Sequence, residues 1–183
     1  MEQKGTILIV DDRTDEKIGV FHDYLVNSGF NLNYVGTLAE AKNELKSLLS
    51  SQQLDGIILD FSFPIDENDK SVQSNNIPNG VVLLNDFIFR IRLQQIPVII
   101  NTTGDKDYKK KYLGNPDDLR IPYYDVDHEL NPLARPSRGM TQDILKLFND
   151  RVERRSQTQM SYEPPKETMF SCEAERRFYR TMD

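Results

Sequence analysis

Four polar residues stand just past apolar runs. Ile7-Leu8-Ile9-Val10 stops at Asp11-Asp12, a second run stops at Asp60, and Pro97-Val98-Ile99-Ile100 leads through Asn101 to Thr102. Three carboxylates brought to one place repel one another unless a cation neutralises them. Hard oxygen donors, without a cysteine or a suitably placed histidine, select Mg2+ or Mn2+ over zinc. Mg2+ takes one or two protein carboxylates and retains several waters, a demand this set can meet. A carboxylate beside such a cation can attack phosphorus and form an aspartyl phosphate. The metal and a nearby hydroxyl would stabilise charge on the transferred group.

For these residues to meet, the apolar runs must be neighbouring strands. Ile7 to Val10, β-branched at Ile7, Ile9 and Val10, fits a strand buried on both faces. Residues 15–28 carry Ile18, Phe21, Leu25 and Val26 at helical spacing, with Thr14 as N-cap and Gly29 at the end. Residues 30–35 alternate weakly as a second strand. Thr37 and Glu40 form a capping box ahead of a helix whose inner face is Leu38, Ala41, Leu45, Leu48 and Leu49. Residues 54–59 make a third strand, residues 80–93 resume helical spacing, and Pro97 to Ile100 is a fourth strand. Residues 105–113 suit a short helix carrying Lys109, Lys110 and Lys111, residues 121–126 a fifth strand, and Met140, Ile144, Phe148 and Val152 a last helix.

This alternation predicts an α/β fold, a three-layer doubly wound (βα)5 sandwich with a five-stranded parallel sheet in the order 2-1-3-4-5. Ligands bind such sheets at the carboxyl ends of the strands. Asp11, Asp12, Asp60 and Thr102 all fall there. Residues 65–79 are polar and without period, and read as a loop of about fifteen residues, long enough to be either functional or mobile. The domain is expected over residues 5–155, followed by a C-terminal tail, linker or docking segment over 156–183. In that tail Gln157-Thr158-Gln159 and Pro164-Pro165 suggest an extended linker. Arg176, Arg177 and Arg180 with Phe178 and Tyr179 make either a frayed terminus or a short docking segment.

The chain has 183 residues, with 23 Lys+Arg against 29 Asp+Glu and a formal charge of −6. Residues 1–150 hold 16 Lys+Arg and 23 Asp+Glu, so the body is the acidic part. That balance argues against a nucleic-acid surface, which needs many cations to displace counterions from phosphates. One cysteine, Cys172, excludes a disulfide framework, and two histidines, His22 and His128, leave little for a histidine metal centre. No stretch approaches the roughly 18 apolar residues of a membrane span, and the N-terminus lacks a signal-peptide pattern. A cytoplasmic protein without membrane contact is the expectation.

Three fragments in order, Ile7-Leu8-Ile9-Val10-Asp11-Asp12, Leu59-Asp60-Phe61-Ser62-Phe63-Pro64 and Ile96-Pro97-Val98-Ile99-Ile100-Asn101-Thr102-Thr103, resemble a response-regulator receiver domain over roughly residues 5–150. The resemblance implies a flavodoxin-like fold and a non-enzymatic, stand-alone signalling protein of a phosphorelay. It implies Asp60 as phosphoacceptor, Mg2+ held by Asp11, Asp12, Asp60 and the backbone carbonyl of Ser62, and Thr102 as the phosphoryl-sensing hydroxyl. Pro64 matches the family's proline after the acceptor. The implied partners are a histidine kinase or phosphotransfer protein and a downstream protein target, with a homodimer left open.

The sequence departs from the family in two places. The family's Lys-Pro pair after the fifth strand is missing. Arg135-Pro136 keeps a cation but lies further from Thr102 than the family spacing, so Arg135 is a candidate stand-in. Aligning Tyr124 with the family's switch aromatic instead puts Asp127 at the lysine position, where an acid would repel a phosphoryl group. That alignment predicts a pseudo-receiver, an interaction module that is not phosphorylated. The other departure is the long 65–79 segment beside the acceptor. Plainer readings stand beside these: Asp11-Asp12 as caps of the first helix, Asp60 as a turn residue, Thr102 as an ordinary strand residue, Arg135 as surface. A phosphatase of haloacid-dehalogenase type would need Asp-x-Asp after the first strand, whereas Asp11 and Asp12 are adjacent.

Overall fold

A computed structural model describes residues 4–12, 19–101, 111, 123–125 and 138–161. The described elements are β1 (Gly5–Val10), α1 (Gly19–Asn27), β2 (Phe30–Val35), α2 (Leu38–Ser50), β3 (Leu54–Leu59), β4 (Gln73–Ser74), β5 (Ile77–Pro78), α3 (Asn79–Leu93), β6 (Val98–Ile100), β7 (Tyr123–Asp125) and α4 (Arg138–Ser161). The chain divides into two compact units, Met1–Val152 and Glu153–Asp183. No described helix is long and apolar enough to cross a membrane.

In the first unit the sheet runs β2-β1-β3-β6 with parallel neighbours, the expected order of the first four strands, and β7 pairs parallel with β6. β1 lies in the interior of the sheet because it is apolar on both faces: Ile7, Leu8, Ile9 and Val10 are all fully buried. The two-residue period splits them. Leu8 and Val10 join α2 and α3 residues such as Leu45, Leu48, Leu84 and Ile91 on one side of the sheet. Ile7 and Ile9 join Leu25 of α1 and Ile144 and Phe148 of α4 on the other. Helices on both faces make this the doubly wound α/β sandwich expected from the alternation.

Two residues of β3 look wrong for a buried strand, Asp55 and Gly56, and packing explains both. The β1–β3 register shifts between Thr6 and Ile7, whose partners are Leu54 and Gly56, so Asp55 is the extra residue of a bulge. Its carboxylate accepts the Thr6 amide at 3.0 Å, supplying the acceptor the bulge takes away. Gly56 makes room for Phe148, since a Cβ there would lie 2.2 Å from Phe148 Cε1 and 3.0 Å from Ile7 Cδ1. Phe148 is fully buried and meets Phe30 edge-on with centroids 6.0 Å apart. Gly56→Ala is therefore expected to cost roughly 1–3 kcal/mol through overpacking. Chemical denaturation would show the loss, and Phe148→Leu in the same chain should recover part of it.

The helix ends show which local signals operate. The Thr37–Glu40 capping box forms, with Thr37 Oγ1 accepting the Glu40 amide at 3.2 Å and Glu40 Oε2 accepting the Thr37 amide at 3.1 Å. Gly29 closes α1 at a φ of 91°, in the left-handed region. The expected N-cap Thr14 and the start of the first expected helix lie outside the described residues. His22, with no evident partner in the sequence, shares a hydrogen bond with the Tyr34 hydroxyl and stacks on its ring. Burial, and secondarily the charge of Asp23, pushes the Tyr34 phenol above its ordinary pKa.

Two expectations need correction. Residues 65–79 are not a loop without regular structure: Gln73–Ser74 and Ile77–Pro78 pair as an antiparallel ribbon. Asn75 and Asn76 turn it with φ of 54° and 63°, a left-handed pair that asparagine tolerates and that matches the strand twist. A ribbon of two residues per strand is too short to leave an alternating signature. Likewise residues 157–159 are not extended linker, because α4 continues to Ser161. Nothing between Gln157 and Ser161 breaks a helix. Glutamine costs only tenths of a kcal/mol there, and the prolines come later.

Candidate functional site

Strand register carries the site. Val10 pairs with Leu59 and Leu59 with Ile100, so the next residues, Asp11, Asp60 and Asn101, leave the sheet side by side. The ladder extends one step past the strands: Asp60 N donates to the Val10 carbonyl at 2.9 Å, Asn101 N to the Leu59 carbonyl at 2.8 Å, and Asp11 N to the Val35 carbonyl at 3.1 Å. One carboxylate oxygen from each of Asp11, Asp12 and Asp60 lies within 4.8 Å of the other two. Asp11 and Asp60 are only 2% and 4% exposed, while Asp12 faces solvent. Three carboxylates this close, two of them desolvated, are a strong demand for positive charge. Their oxygens are the donor type Mg2+ or Mn2+ takes.

The residues after β3 fix the acceptor's setting. Phe61 and Phe63 are fully buried in the α2–α3 side of the core, anchoring the backbone on either side of Ser62. Asp60 Oδ1 accepts the Phe61 amide at 2.6 Å, with the Ser62 amide at 3.4 Å, which orients the carboxylate. The carbonyls of Pro64 and Ile65 accept the amides of Leu38 and Ala39, so this segment also caps the first turn of α2. On the other flank, α3 begins against the acceptor backbone. The Gly80 amide donates to the Phe61 carbonyl at 3.1 Å, and a Cβ at Gly80 would lie 2.2 Å from the Asp60 carbonyl oxygen.

Asn79, which sequence reading passed over as a loop residue, ties the 65–79 segment to this site. It is fully buried. Its Nδ2 donates to the carbonyls of Phe63 at 2.7 Å and Ser71 at 2.9 Å, its Oδ1 accepts the Ser74 hydroxyl at 2.7 Å, and its amide donates to Val72 at 3.1 Å. A buried amide with every bond made is strongly position-specific. Asn79→Ala should cost about 2–4 kcal/mol by leaving the Ser71 and Phe63 carbonyls without their donor. Faster amide exchange across 71–79 than across α2 would report the release. Further out, hydrogen bonds from Ser71 hold the Asp69 carboxyl below the ordinary carboxylate range. That contribution is present above the ordinary carboxylate pKa, and is lost as pH falls through the lower, folded-state value. Acid titration of the Ser71 amide shift should follow it.

Thr102, Arg135 and Asp127 lie outside the described residues, as do Lys109, Lys110 and His128. Tyr124 is the middle residue of β7, paired with Ile99. Out of the candidate set the structure thus brings together Asp11, Asp12 and Asp60, with the Ser62 amide 3.4 Å from Asp60 Oδ1.

Comparison with known proteins decides the fold. The structure aligns with a response regulator receiver domain protein of Methanospirillum hungatei JF-1 over 82% of this chain and 98% of that one, with a TM-score of 0.52 at 15% identity. A response regulator receiver domain protein from Clostridium thermocellum aligns over 84% and 98%, with a TM-score of 0.52 at 17% identity. A response regulator receiver protein from Sinorhizobium medicae WSM419 aligns over 82% and 96%, with a TM-score of 0.51 at 18% identity.

The fold is the response-regulator receiver fold.

At these identities the likeness is one of architecture. No family model matches the sequence, and no curated protein matches it. Within the receiver fold, the row of Asp11, Asp60 and Asn101 occupies the carboxyl edge of the sheet, where open α/β sheets hold their ligands.

Proposed function

We propose that the chain is a receiver of two-component signalling that accepts a phosphoryl group on Asp60. The observation that carries this reading is the meeting of Asp11, Asp12 and Asp60 within 4.8 Å at the carboxyl edge of a receiver-fold sheet. Asp11, Asp12, Asp60 and the Ser62 carbonyl would hold a Mg2+ or Mn2+ ion, and a divalent cation so placed supplies positive charge for the transferred group. An Asp60 carboxylate oxygen attacks phosphorus of a phosphohistidine on a kinase or phosphotransfer protein. The P–N bond breaks, and the imidazole leaves with the bonding pair and takes a proton. The Phe61 amide on Asp60 Oδ1 keeps the carboxylate oriented during approach. The added charge of about −2 then alters contacts with a downstream protein. Incubation with Mg2+ and a small phosphodonor should add one phosphate by intact-mass measurement.

A second reading is favoured by one feature, the absence of a Lys-Pro pair from the sequence. As a pseudo-receiver the chain would bind partners without being phosphorylated. Partner binding unchanged by Asp60→Asn, together with no labelling of the unaltered chain, would select it.

A further inference from the structure

The outer face of α2 and α3 has a character opposite to the rest of this acidic body. Two ties lay the helices side by side and parallel: Lys42 Nζ lies 2.7 Å from Asp86 Oδ2, and Gln94 Nε2 donates to the Leu49 carbonyl at 2.9 Å. One turn beyond the first tie, Lys46 of α2 stands level with Arg90 of α3, and both are exposed. On α3, Phe89 and Leu93 are 74% and 73% exposed, the most exposed large apolar side chains among the described residues. One turn apart, they share a face, and exposed Arg90 and Arg92 flank them. Among the described residues Lys46, Arg90 and Arg92 make no ion pair. The nearby acids are committed elsewhere: Asp86 to Lys42, Glu40 to the Thr37 cap, and Glu44 to Asn33 of β2. Beside the Lys42–Asp86 pair, three cations, Lys46, Arg90 and Arg92, therefore surround two apolar side chains with no paired acid among the described residues, while Glu40 and Glu44 keep their charge but are held towards Thr37 and Asn33.

We infer that this face docks an acidic protein segment, one presenting carboxylates around one or two apolar side chains. The apolar pair would supply the buried contact, while the cations would draw in and orient a partner of opposite charge. A second copy is a poor occupant, because a two-fold interface through this face would set its own cations against each other. The inference does not use the chemistry at Asp60, and its outcome is independent of phosphorylation.

The test uses the full chain and a synthetic amphipathic peptide with a Leu/Phe stripe flanked by glutamates. A scrambled peptide of the same composition and a lysine-for-glutamate version are the controls. Titration into 15N-labelled protein should shift the amides of residues 42–46 and 86–93. Phe89→Ser with Leu93→Ser, or Arg90→Glu with Arg92→Glu, should each weaken binding at least about tenfold. Added salt should weaken it as well. Because these side chains are exposed, each variant should melt at the temperature of the unaltered chain. No binding, equal binding of the scrambled or lysine peptide, or shifts on another face would overturn the inference. So would preferential binding to phosphatidylserine vesicles, self-association that the variants abolish, or a large loss of stability in Phe89→Ser.

Discussion

An Asp60→Asn chain is expected to take up no phosphoryl group under conditions in which the unaltered chain takes up one. The carboxamide is nearly the same size, and its oxygen can still accept the Phe61 amide that Oδ1 accepts at 2.6 Å, so the local geometry should survive. The amide lacks the anionic oxygen needed to attack phosphorus. The same substitution removes one charge from a cluster in which Asp11 and Asp60 are almost fully buried. The melting temperature without divalent cation is the reference for each chain. With millimolar Mg2+ the chains should part. The unaltered chain gains stability as ligand binding to the native state dictates, while Asp60→Asn and Asp11→Asn gain much less. Thermal melts with and without Mg2+, read beside intact mass, separate the two functional readings. Cation-dependent stabilisation without labelling points to the pseudo-receiver, and the absence of both would sink the proposed metal site.

Gly80→Ala should damage the fold and the site together. Alanine is the better helix former by about 1 kcal/mol, so on an exposed helix the change would stabilise. Here the new Cβ would lie 2.2 Å from the Asp60 carbonyl oxygen and 2.8 Å from Phe61 Cα. Both are backbone atoms held by strand hydrogen bonds and by a buried phenylalanine, so neither can swing aside as a flexible side chain would. α3 or the acceptor turn must move, at a cost of roughly 1–3 kcal/mol or more. For a chain of this size that corresponds to a melting temperature lower by about 2–12 °C. Because the displaced atoms belong to the acceptor, phosphoryl uptake should fall as well. Gly36→Ala is the matched control. Its Cβ would sit 3.9 Å from Asp12 Cα, an ordinary contact, so stability and uptake should stay near those of the unaltered chain. A Gly80→Ala chain that melts and labels like Gly36→Ala would show that close approach of α3 does not shape the site.

Much of this is legible in the sequence alone. Buried parallel strands are short apolar runs, so Ile7 to Val10 and Pro97 to Ile100 announced themselves, and Thr37 with Glu40 marked a helix start through purely local hydrogen bonds. Other features left no local trace. Nothing local marks Gly56 or Gly80, because what they avoid, Phe148 in one case and the Asp60 carbonyl in the other, is distant in sequence. Nothing in the sequence marks Asp55 as a bulge residue whose carboxylate accepts the Thr6 amide. Asn79 looked like one polar residue among many, since its partners span Phe63 to Ser74.

The sequence by itself determined the order of strands and helices, and therefore which acids stand at strand ends. Periodicity and strand exits are written residue by residue. Tertiary structure decided that Asp11, Asp12 and Asp60 meet, because that depends on the register of β1 against β3, set by a bulge no short-range pattern encodes. It also decided that the 65–79 segment is a pinned ribbon, because its anchors are buried partners. And it decided that cations from two helices gather around Phe89 and Leu93, because side chains from α2 and α3 become neighbours only when the helices pack.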